Sequence, residues 1–127
     1  MTNQTITPTT PVGTWTASST IGGEAVPYRT RFEFRPDHTL TADGPPGPDG
    51  KPAFVGTGHW FTRPDGTFVH HVTHPVPDGS GGEFGTVHAI QQGTVGGDRF
   101  ESSGSAVMHS ADGVAEAVEV TLSADRA

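Results

Sequence analysis

Hydrophobic and polar residues alternate with a period of two over most of this chain, and the clearest stretch is 25–35. There Val26, Tyr28, Thr30, Phe32 and Phe34 share one parity, while Arg29, Arg31, Glu33 and Arg35 share the other. Successive side chains of a strand point to opposite faces, so the first set faces a core and the second faces water. Weaker forms of the same pattern predict strands over 12–19, 39–43, 54–62, 67–74, 83–92, 99–109 and 114–123. In the last of these Val114, Val118, Val120 and Leu122 line one face and Glu116 interrupts it.

The segments between are rich in turn formers. Arg63-Pro64-Asp65-Gly66 is a tight reversal: Pro64 presets one torsion, Asp65 closes an Asx hydrogen bond and Gly66 accepts positive φ. Folding the chain back about Asp65 sets Trp60 opposite His70 and Thr62 opposite Phe68 on a shared face. Residues 34–40 repeat the chemistry of 62–68, so one hairpin design is used twice. The longest loop falls at 43–53, where Gly-Pro-Pro-Gly-Pro-Asp-Gly-Lys-Pro lacks the donors for a ladder.

No window carries a capped helical stripe. About eight strands joined by short turns make a meander, and closing a meander into an antiparallel up-and-down β-barrel removes its exposed edges. A two-sheet sandwich is the alternative all-β arrangement. A length of 127 residues suits one domain over 12–127, with the Thr/Pro-rich 1–11 as a flexible arm. A hydrophobic content of 31% with 18 Gly and 11 Pro would suit a disordered chain, and the strand periodicity overrules it.

A formal charge of −7 disfavours nucleic acid and anionic membrane as partners. The start of the chain has neither a basic cluster nor an apolar run, which gives a cytoplasmic expectation. Without cysteine there is no disulfide or thiolate chemistry. A monomer or a homodimer is expected.

Gly13-Thr14-Trp15 at the first strand, with Arg126 just after the last, resembles the calycin pattern of lipocalins and their relatives. The resemblance implies a barrel whose base is plugged by Trp15, with Arg126 packed over the indole. Gly58-His59-Trp60 followed by Arg63-Pro64-Asp65-Gly66 is similar to the layout of nitrobindin-like barrels. That likeness implies haem held by a histidine near the C-terminus, but the last strand here has none. Barrels of these kinds include natural-product enzymes that fold a flexible substrate for cyclisation.

With the turn after the fifth strand centred on Gly79, His70 stands opposite His88. Trp60, His70 and His88 then form a transverse row that continues to Ser102 or Gly104 on the seventh strand. An inward neutral imidazole is a candidate general acid or base, or simply the partner of a neighbouring hydroxyl. Tyr28, His70 and His88 are accordingly the candidate catalytic groups. Thr30, Phe32, Phe34, Phe54, Trp60, Phe84 and Glu116 are the candidate substrate contacts. Glu116 is either a buried acid of raised pKa or a rim carboxylate reaching solvent.

No ligand spacing marks a metal site, since His70 and His74 would lie about 13 Å apart along a strand. No Gly-rich segment leads into a phosphate-binding helix, and no nucleophile elbow is present. No cofactor is expected. The expected function is a cofactor-independent isomerase or cyclase confining a largely apolar molecule. The alternatives are a non-catalytic carrier, a haem or metal barrel, and a filled barrel serving only as an interaction module.

Overall fold

The computed structural model describes residues 10–78, 80 and 82–127. They form a closed antiparallel barrel built from β1 (Gly13–Ile21), β2 (Glu24–Phe34), β3 (Thr39–Asp43), β4 (Val55–Thr62), β5 (Phe68–Pro77), β6 (Glu83–Gly96), β7 (Arg99–Ser110) and β9 (Val118–Arg126). Each strand pairs with its neighbour in sequence up to β7, which pairs with β9, and β9 returns to β1. The two-residue β8 (Gly113–Val114) folds back on the end of β7. The meander expectation therefore holds, and the sandwich does not. Most of the expected 1–11 arm, and Gly79, lie outside the described residues.

The two matching turns are built alike. Thr39 and Thr67 each donate their backbone N–H and hydroxyl to the carboxylate two residues earlier, Asp37 or Asp65. Arg35 N–H bonds Thr39 C=O at 2.9 Å, and Arg63 N–H bonds Thr67 C=O at 2.8 Å. Where one turn has Gly66 at φ 89°, the other forces His38 to φ 69°. His38 is held there by its contacts: its ring packs 4.6 Å from Trp60, and its Nδ1 lies 3.1 Å from the Trp60 carbonyl oxygen.

Inward parity divides the barrel into a sealed base and an open end. At the base, Trp15, Phe34, Phe68 and Phe100 are each at most 1% exposed. Phe34 is the hub, with Phe68, His70 and Phe100 edge-on at 5.8–6.0 Å. Burying aromatic rings supplies most of the stabilisation in such a core, and edge-to-face pairs add about 0.5–1.5 kcal/mol each. Arg126 closes the base from outside. Its guanidinium carbon lies 4.2 Å from the Trp15 ring centroid, and its N–H groups donate to the carbonyls of Val12, Thr10 and Gly97. Gly13 is required beside it, because a Cβ there would come within 2.7 Å of the guanidinium nitrogen at a φ of 132°. At Gly58, which shares the parity of Trp60, a Cβ would collide with the His71 carbonyl, so the close approach of β4 and β5 there admits no side chain.

Candidate functional site

Above the aromatic base the barrel encloses an apolar cavity of about 100 Å³. Its walls come from small and branched residues, among them Ala42, Val72, Ala89, Ala106, Val120 and Leu122. An apolar cavity of about 150 Å³ accepts a molecule of benzene's size. At about 100 Å³ the space here is smaller than that, so a short chain fits within it and a small ring fills it and reaches into the open mouth.

His70 borders the cavity from β5 and is 1% exposed. Its partner in the ladder is Gln91, and Ser102 lies diagonally beyond, next to side-chain-free Gly93. The His70 ring reaches past β6, and its Nε2 lies 3.0 Å from the Ser102 hydroxyl. Ser102 in turn donates to Gln91 Oε1 at 2.7 Å. Because the hydroxyl proton goes to Gln91, Nε2–H is the donor to Ser102, and Nδ1 keeps a bare lone pair. Among the described residues Nδ1 has no hydrogen-bond partner. Burial pushes the imidazolium pKa from the ordinary 6.5 down to about 4, so His70 is neutral at pH 7. Phe68 stacks on the ring at 5.6 Å, fixing its plane.

At the mouth, Phe54 stacks on His74 at 4.4 Å, and Tyr28 meets Phe54 edge-on at 6.4 Å. All three border the cavity. Phe54 sits against Gly44, where any Cβ would overlap its ring, so the loop from Gly44 lays the phenyl over the opening.

Of the residues singled out from the sequence, Tyr28, Thr30, Phe32, Phe54 and His70 line one cavity. Five others do not. Phe34 lies in the sealed base rather than on the cavity wall. Trp60 is opposite His70 as expected. Yet its indole is packed between Phe34 and His38, with its N–H donated to the Arg35 carbonyl. His88 faces outward, paired with Thr73 instead of His70, its ring 5.7 Å from His109.

The cause of the His88 reversal is a bulge: Pro77 pairs with Glu83 but Val76 with Gly85, leaving Phe84 as an extra residue. One unpaired residue reverses the parity of everything after it. Phe84 itself is thereby turned out and is 55% exposed. Glu116 falls between β8 and β9, exposed and off the barrel wall, because Gly113 turns Val114 back onto β7 before the last strand begins. The buried-acid alternative for Glu116 is thus excluded.

Sequence reasoning missed Gln91 as a cavity residue, since with His88 inward it would have faced out. Of the two seventh-strand residues expected beside the row, Ser102 and Gly104, it is Ser102 that bonds His70, while Gly104 pairs with Gln91.

The site does not fit haem. Its volume suits a single small ring, His70 Nε2 is committed to Ser102, and the last strand offers no histidine. Among the described residues no three His, Asp or Glu side chains are gathered to hold a metal ion. Also among the described residues, no helix is long and apolar enough to cross a membrane. Compared with family models, curated proteins and solved structures, the chain matches none significantly.

Proposed function

We propose that this calycin-like barrel binds a small, largely apolar organic molecule inside its open half, in the cytoplasm and as a monomer or homodimer. The observation that carries this is the enclosed apolar cavity: a barrel needing only stability would fill that space with side chains, as the base does. Leaving it lined by alanines and valines forgoes packing contacts, which makes sense where an occupant restores them.

Cofactor-independent isomerisation or cyclisation of the bound molecule is the second reading, because His70 and Tyr28 border the same space. In that reading neutral His70 acts by accepting a hydrogen bond and orienting the substrate. A base of pKa about 4 takes a proton poorly at pH 7.

The test is to fill the cavity from within. Ala106→Phe, with Ala89→Leu as a milder version, should abolish uptake of small cyclic hydrocarbons, monitored by NMR line shifts of cavity residues, while the circular dichroism of the barrel is kept. Unchanged uptake in both folded variants would place binding elsewhere.

A further inference from the structure

The cavity wall limits the chemistry of what it can hold. Resting on the enclosure just described, we infer that the preferred occupant is a small, neutral, mostly apolar molecule bearing one hydroxyl group, its oxygen seated among Thr30, His70 and Gln91.

Charge comes first. Among the described residues, no Lys, Arg, Asp or Glu borders the cavity. His70 is uncharged there because burial opposes its protonation. A carboxylate or ammonium group entering this space would lose its hydration without meeting an opposite charge, a cost that one hydrogen bond does not return. Fatty acids and amines are therefore excluded in favour of neutral molecules.

Hydrogen-bonding capacity comes second. Six polar side chains border the cavity, Ser19, Tyr28, Thr30, His70, His74 and Gln91, and three of them are buried: Thr30 from β2, His70 from β5 and Gln91 from β6. Gln91 spends its carbonyl oxygen on Ser102, so its NH₂ group is what it can offer an occupant. His70 carries the opposite, an acceptor lone pair on Nδ1 that is buried and unmet by any group among the described residues, on a ring that borders the cavity. The Thr30 hydroxyl does either. A hydroxyl both donates and accepts and so suits this mixed set. A ketone answers only the donors, and a hydrocarbon answers none.

The experiment uses the full chain at pH 7.5 with four six-membered-ring probes: cyclohexanol, cyclohexanone, methylcyclohexane and cyclohexanecarboxylate. Binding is followed by calorimetry and by the methyl shifts of Val72 and Leu122. Cyclohexanol should bind roughly tenfold more tightly than methylcyclohexane, as one buried hydrogen bond gives, and the carboxylate should show no saturable binding. Thr30→Val and Gln91→Met, both close in shape to the originals, should each cut the alcohol's preference about threefold or more and leave methylcyclohexane binding as it was. Methylcyclohexane, cyclohexanone or the carboxylate binding as tightly as the alcohol would overturn the hydroxyl assignment while leaving the enclosure standing. Failure of all four probes to bind would bring down the enclosure as well.

Discussion

The two halves of this barrel are made from the same strands and differ in what they do with their interior. In the lower half Trp15, Phe34, Phe68 and Phe100 interlock and Arg126 closes the end. In the upper half the same strands present Ala42, Val72, Ala89, Ala106 and Val120, and an open space remains. The boundary is His70, stacked on Phe68 below and bordering the cavity above. Stability is concentrated at one end, which leaves the other end free to be shaped by what it holds.

The sharpest way to break this contrast is to truncate an aromatic ring on each side. Phe34→Ala should cost about 3–5 kcal/mol in denaturant unfolding, as large-to-small changes in a packed core do. Phe54→Ala at the mouth should cost less than half of that; equal losses would mean that the mouth is as structural as the base.

Next in size is the acid sensitivity of the boundary. The folded state holds the His70 pKa near 4 against 6.5, so below pH 6.5 the unfolded chain takes up a proton that the folded chain refuses. Stability is full above pH 6.5 and falls as the pH drops toward 4, by about 3 kcal/mol from this group. His70→Phe should flatten that part of the stability–pH curve, measured by urea unfolding at steps between pH 7 and 4. A slope identical to that of the parent protein would assign the acid sensitivity to other groups.

Arg126→Met keeps the bulk beside Trp15 but removes the charge and the N–H donors to three carbonyls. A loss of about 1–3 kcal/mol is expected, together with a changed near-UV signal from Trp15 and unaltered ligand uptake. Altered uptake would show that the two ends are coupled.

The smallest effect belongs to the twin turns. Hydrogen bonds from the Thr39 side chain and backbone hold Asp37 below the usual carboxylate range, and Thr67 does the same for Asp65. Asp37→Asn and Asp65→Asn should each lower the melting temperature slightly and to a similar degree. A much larger loss at Asp37 would show that the His38–Trp60 contact depends on that turn.

How far the sequence revealed this arrangement depended on how local the deciding interaction was. The alternation from Val26 to Phe34 is covalent spacing and was legible at once. The Trp60–His70 pairing follows from a tight turn five residues from each. The contact of Trp15 with Arg126 spans almost the whole chain and was reached through a family resemblance. The parity of β6 was not legible, because a bulge at Phe84 lies beyond what local spacing shows, so His88 and Phe84 are expected inside and Gln91 is not. Whether an inward ring packs or lines a space was also hidden. Phe32 and Phe34 have the same parity, and only the layers of the folded barrel separate the cavity wall from the base.

Phe84 carries one last consequence. Since it has no partner across the ladder while Glu83 and Gly85 both do, the strand holds one residue of slack. Excising Phe84 would join two residues already facing consecutive partners, so the chain could shorten by one codon here with the inner lining of β6 preserved. The same excision a few residues later, between Val87 and Gln91, would turn that lining inside out.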